Sequence, residues 1–165
     1  IKLFTWLRLA KVQRVAPIAH RVEGKGQLDM DTAMAILNNR FQIMAQYRKL
    51  VIAPLVKQEL GKADASVRHH FRRAKALLSR ETSLLDETHQ ARIQRLLEES
   101  QALKVIYEKR IALQQIWVKT SSNGHDMLEA IKQWVHEAEA SGIQSLREFA
   151  EQLKTYSLRP ATTAA

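Results

Sequence analysis

SLLDETHQARIQRLLEESQALKVIYEKRIALQQIWV, residues 83–118, decides the fold class. Ile93, Leu96, Leu97, Leu103, Ile106, Tyr107, Leu113 and Trp117 recur along it at helical spacing. Gln94, Glu98, Gln101 and Glu108 fall on the opposite side. That spacing marks one face of a helix, and the stretch has neither glycine nor proline to interrupt it. A single helix, the longest in the chain, is expected from about Ser83 to Val118.

The same period continues outward in both directions. Upstream, Val67, Phe71, Ala74 and Leu78 predict a helix over 63–78, with Arg68, Arg72, Arg73, Lys75 and Arg80 crowding its other faces. Before it, Asp29 and Asp31 are N-cap candidates for a long helix. That helix runs through Ala33, Ile36, Leu37, Phe41, Met44, Tyr47 and Val51 toward Leu60. Pro54 is expected to kink or split it and Gly61 to stop it. Downstream, the polar run 120–124 is a turn. A fifth helix uses Met127, Leu128, Ile131, Trp134, Val135 and Ala138, and Ser141-Gly142 ends it. A sixth carries Leu146, Phe149, Ala150, Leu153 and Tyr156. No strand pattern occurs. The expectation is an all-α protein whose long antiparallel helices form a bundle or an extended helical hairpin.

Composition agrees and excludes several classes. The chain has 165 residues, 45% apolar and 26% charged, with five Gly, three Pro and no Cys. No apolar run reaches the roughly 18 residues a membrane span needs. Without cysteine there are no disulfides, thiolate metal sites or thiol nucleophiles. The net charge of +9 is unevenly placed: residues 1–80 hold 16 Lys and Arg against 5 Asp and Glu, while residues 81–165 hold 10 against 12. Such a basic half suits nucleic acid, an anionic membrane face or an acidic protein.

Four segments are expected. Residues 1–14 read as an amphipathic membrane-interface element, in which Phe4, Trp6 and Leu7 enter the acyl boundary while Lys2, Arg8 and Lys11 meet headgroups. Residues 15–28, with Pro17, Gly24 and Gly26, read as a linker, 29–157 as a helical extension and 158–165 as a disordered tail. The start at Ile1 reads as that of a cut or processed piece.

No catalytic, cofactor or metal residue is assigned. His69 and His70 are adjacent and are expected to point about 100° apart on a helix. His125 and His136 share a face but sit about 16 Å apart along the axis. No Glu-x-x-His, phosphate-loop or nucleophile-elbow pattern is present. Arg68, Arg72, Arg73 and Lys75 are able to reach phosphates, but no helix-turn-helix reading set or aromatic stacking platform accompanies them in the sequence.

Ile1–Val12 (IKLFTWLRLAKV), Val12–Pro17 (Val-x-Arg-Val-Ala-Pro), Asn38–Tyr47 and Glu137–Ile143 resemble segments of bacterial membrane-bound acyl-CoA (fatty acid) desaturases. The resemblance implies an oxidoreductase parent on the cytoplasmic face of the membrane. That parent inserts a double bond into an acyl chain at a di-iron centre. The histidine boxes are absent here, so the chain is expected to be a C-terminal scaffold or interaction module without a cofactor of its own. Its implied partners are an anionic membrane surface, a ferredoxin-type electron donor or a second copy. An alternative resemblance rests on Ile131–Tyr156, with Trp134, Ala-Ser-Gly-Ile and Leu146-x-x-Phe149-Ala150. This stretch is similar to a helical region of bacterial transposases, which bind DNA and need a triad of acidic residues around metal.

Overall fold

The computed structural model describes residues 28–120 and 124–156, and every regular element among them is helical. The described α-helices are α1 (Met30–Leu37), α2 (Arg40–Tyr47), α3 (Ala53–Lys62), α4 (Ala65–Phe71), α5 (Ala74–Ser79), α6 (Glu87–Glu99), α7 (Gln101–Thr120), α8 (Gly124–Ala140) and α9 (Gln144–Lys154). The all-α expectation holds. The expected helix lengths do not, because polar residues cut the long amphipathic runs.

The helix expected over 83–118 is two helices. Ser100, buried in spite of its hydroxyl, has extended backbone at φ −142° and ψ 112°. Its Oγ accepts the Leu103 N–H at 3.2 Å, capping α7, and donates to Glu59 Oε2 of α3 at 3.0 Å. Serine hydroxyls compete with the helical ladder in this way, so it serves as an N-cap where apolar periodicity alone predicts continuity. The helix expected from Asp31 to Leu60 is also cut, at Asn38-Asn39. There Asn39 Nδ2 donates to Ala35 O at 2.7 Å, and the Trp117 indole N–H donates to Leu37 O at 3.2 Å. Of the two cap candidates it is Asp29 that caps α1, its Oδ1 accepting the Thr32 N–H at 2.8 Å. That bond holds the Asp29 carboxyl below the ordinary carboxylate range. The third predicted helix is divided as well, into α4 and α5 around Arg72-Arg73.

Pro54 acts differently from a simple break. Residues Arg48–Ile52 form a wide π-helical turn joining α2 to α3, in which the Ala53 N–H reaches back to Arg48 O. Proline thus falls in the first turn of α3, where its missing N–H costs least. Gly61 does not end that helix. It lies inside the last turn, and the chain turns extended at Ala63. Gly142 does terminate α8, with φ +74°, a conformation that side-chain-bearing residues rarely adopt.

The core gathers one face from each helix. α7 and α8 form an antiparallel hairpin, with Lys109 of α7 against Trp134 and Glu137 near the far end of α8. α1 and α9 pack on α8, α6 packs on α7, and α4 and α5 pack on α6. At the centre Tyr47, Trp134 and Phe149 meet edge to face, with ring centroids 5.1 Å apart for Tyr47–Phe149, 6.4 Å for Tyr47–Trp134 and 6.0 Å for Trp134–Phe149. Such contacts stabilise beyond simple area burial. The two polar aromatic groups are satisfied on α7: the Tyr47 hydroxyl donates to Ile106 O at 2.5 Å and the Trp134 indole to Lys109 O at 2.9 Å. Burial raises the Tyr47 phenol far above its ordinary value, so it stays a donor.

Among the described residues one charged side chain enters this core. Arg110 is 6% exposed, and its Nη2 donates to Ser79 O at 2.8 Å, at the C-terminal end of α5. Burial draws its guanidinium below the usual arginine value, an effect opposed by nearby Glu81. Glu81 itself accepts from Gln114 Nε2 at 2.6 and 2.9 Å and from Arg40 Nη2 at 3.5 Å. These bonds fix the end of α5 against α7 and hold the α4–α5–α6 side of the molecule in place.

Candidate nucleic-acid interface

The splitting of α4 from α5 has a chemical consequence, because it aims Arg72 and Arg73 at α6. On α6, Ile93 and Leu96 are buried against the core. Thr88, Ala91, Arg92 and Arg95, at relative positions 0, 3, 4 and 7, form an exposed stripe on the same helix. The two elements enclose a cleft of about 770 Å³. Arg72, Arg73, Arg92 and Arg95 line it, together with His69 and His70, over a floor that includes Leu77.

Among the described residues no carboxylate lines this cleft. All four arginines are exposed, and among the described residues none of them forms an ion pair. The acid that caps α6 is engaged elsewhere. Asp86 Oδ1 accepts the His89 backbone N–H at 2.8 Å and the His89 ring Nδ1 at 2.5 Å, and the backbone bond first of all holds its carboxyl below the ordinary range. Arg80 Nη1 donates to the other ring nitrogen of His89 at 2.9 Å, which makes Nδ1 the protonated one. Four like charges facing one cleft repel each other, and an anion that enters relieves the repulsion.

The histidine pair departs from expectation. The His69 and His70 rings do not diverge; their centroids lie 3.8 Å apart with the planes inclined by 39°. A close, tilted imidazole pair thus stands among the arginines, the aromatic element that sequence spacing placed out of reach. Among the described residues no three His, Asp or Glu side chains converge as metal ligands would.

A smaller cavity of about 340 Å³ between α7 and α8 contrasts with this one. Ala112, Ile116, Ala130 and Trp134 line much of it, and its one lysine and one glutamate balance. Glu137 there is committed to Lys109 and to Gln133 Nε2. It offers no net field for a charged ligand.

Of the sequence-based candidates, Arg72 and Arg73 line the cleft, while Arg68 and Lys75 do not. Arg68 Nη2 instead donates to Ala63 O at 3.3 Å. Arg92 and Arg95 were not singled out by the sequence reading. Their signal was available, since they flank Ile93 and Leu96 on the outward face of a helix whose inward face is apolar. The membrane-interface residues Lys2, Phe4, Trp6, Leu7, Arg8 and Lys11, with the segments 1–14 and 15–27 and the tail 158–165, lie outside the described residues. Among the described residues no helix is long and apolar enough to cross a membrane.

Comparison with known proteins corrects the desaturase reading. A transposase family model, of the ISL3 type, matches residues 30–159. The transposase for insertion sequence element IS1001 of Bordetella parapertussis is 28% identical over 123 residues, covering 73% of this chain and 30% of that protein. The chain therefore spans less than a third of this relative's length. No solved structure matches it. The correction removes the oxidoreductase and lipid-metabolism readings, with the di-iron parent, the ferredoxin donor and the membrane-bound parent they implied. Two segments that suggested a desaturase, Asn38–Tyr47 and Glu137–Ile143, fall inside the matched region. Their Tyr47 and Ala138 are core residues and their Gly142 is a helix terminator, so they report packing and not acyl chemistry. The alternative resemblance, resting on Trp134, Leu146, Phe149 and Ala150, likewise falls on the buried core.

Proposed function

We propose that this chain, which belongs to the ISL3 family of transposases, is a helical DNA-contacting part of such an enzyme, and that the cleft between α4, α5 and α6 is its contact surface. The observation that carries the reading is a cleft with four exposed arginines that, among the described residues, have no ion-pair partner and no carboxylate beside them in the lining. A transposase has to hold DNA, and phosphates are the one feature that DNA presents at every position. Arginine suits that task because its planar fork donates two parallel hydrogen bonds to a phosphate and never loses its charge.

The role proposed is holding, not cutting. The family resemblance implies acidic residues around a metal, and the described residues offer no three acids or histidines that converge on one point. By themselves the described residues do not complete such a centre, and no catalytic step is derived from them. In the IS1001 relative more than two thirds of the length lies outside the part matched here.

The test is binding of the full chain to a labelled DNA carrying both a duplex and an unpaired tail, followed by fluorescence anisotropy at increasing salt. If four arginines each neutralise one phosphate, log affinity falls against log salt with a slope of about −3 to −4. No binding at about 50 mM salt, or a slope near zero, overturns the reading.

A further inference from the structure

Resting on the proposed DNA contact, we propose that the cleft takes an unpaired strand, with phosphates on the four arginines and a base against a ring of the His69–His70 pair. Two observations point away from a duplex lying along a flat basic face. The first is volume: about 770 Å³ falls within the roughly 300–1,000 Å³ of sites that enclose small ligands. A few nucleotides of unpaired strand, some of them outside its mouth, fit such a cleft, whereas a double helix has a groove alone about 12 Å wide and is too broad to enter. The second is the imidazole pair, at 3.8 Å between centroids. Surfaces that bind unpaired strands combine a cationic groove along the backbone with aromatic rings on which bases stack. Histidine is among the rings used for this purpose. A paired base is already stacked on its neighbours and has no free face to offer.

Arg92 and Arg95 stand one turn apart on α6, while Arg72 and Arg73 follow the histidines at the end of α4. A strand entering between the helices has cations on both sides and the ring pair beside one of them. Leu77 and Ala91 supply apolar surface for the face of a sugar or base.

The experiment compares the full chain on three labelled probes of about 12 nucleotides or base pairs: an oligothymidylate, the matching abasic strand and a duplex. The oligothymidylate is expected to bind about tenfold or more tightly than the duplex. The double variant H69A/H70A should lose about tenfold on the oligothymidylate and little on the abasic strand. H69F/H70F, which keeps two rings and removes any imidazole charge, should restore most of that loss. His70 is half-buried, so the single variant H69A, at an exposed position, repeats the comparison without risk to the fold and should show a smaller loss of the same kind. Equal binding of duplex and oligothymidylate, with no effect of either histidine variant, overturns the unpaired-strand proposal while leaving the DNA contact standing. Failure of all three probes to bind removes both.

Discussion

Replacing Trp134 by alanine is expected to cost about 3–5 kcal/mol of folding stability. Trp134 is 3% exposed and touches both other rings of the central aromatic cluster. Its removal from α8 leaves a cavity that three other helices, α2, α7 and α9, have to close around. A small domain has only about 5–15 kcal/mol in total, so the variant is expected to be partly unfolded at physiological temperature. Trp134→Phe separates the two contributions. It keeps a ring but loses the 2.9 Å bond to Lys109 O, and Lys109 O lies within α7, where the helical ladder still uses it. The expected cost is about 1–2 kcal/mol. Urea denaturation followed by far-ultraviolet circular dichroism gives both values. A Trp134→Ala cost below about 1 kcal/mol would mean that the aromatic cluster is not the centre of the core.

The second large effect concerns binding and leaves the core untouched. The double variant R92E/R95E replaces two exposed cations with anions on the exposed stripe of α6 that flanks buried Ile93 and Leu96. Hydrogen bonds to charged groups contribute about 1.5–3 kcal/mol each, so losing two arginine–phosphate contacts should weaken DNA binding about 100-fold or more at low salt. The salt slope should also fall by about 2. Stability should change little, because neither arginine packs in the core or pairs with an acid among the described residues. As a control, K132E reverses a charge on α8 that is already paired with Glu129, away from the cleft, and should alter DNA affinity only slightly. Equal losses from both variants would point to a diffuse effect of net charge in place of a defined cleft.

Helix class was legible in the sequence because apolar spacing survives in every segment. Helix boundaries were legible only where the backbone itself demands a residue type. Gly142 could be read as a stop because its φ is +74°, and Asp29 as a cap because its carboxylate reaches Thr32 N–H. Ser100 and Asn39 were hidden. Each sits in a continuous helical pattern, and each breaks it through a contact with something distant or with its own preceding turn. For Ser100 that partner is Glu59, 41 positions away. Pro54 was read correctly as a disturbance, but its resolution as a wide π turn depends on how α2 and α3 pack.

The cleft was half legible for the same reason. Arg72 and Arg73 stood out as part of a basic run. Arg92 and Arg95 are separated from each other by Ile93 and Gln94 and look like ordinary solvated charges until α4, α5 and α6 are folded together. The paired histidines were missed because adjacent Cβ directions diverge on a helix, while the side chains still have two rotatable bonds with which to turn back. The family was obscured differently. The residues that carry the transposase likeness are mostly core residues, and a core pattern specifies packing far more strongly than it specifies chemistry.

The claim that this cleft holds DNA is tested most directly by nitrogen–proton correlation spectra of the labelled chain, including arginine side-chain signals, recorded as a DNA with an unpaired tail is titrated in. The account predicts that the largest shifts fall on α4, α5 and α6, and that the side-chain signals of Arg72, Arg73, Arg92 and Arg95 move together at one affinity. Shifts spread evenly over all exposed lysines and arginines, or centred on the α8–α9 side of the molecule with these four arginines unmoved, would contradict it.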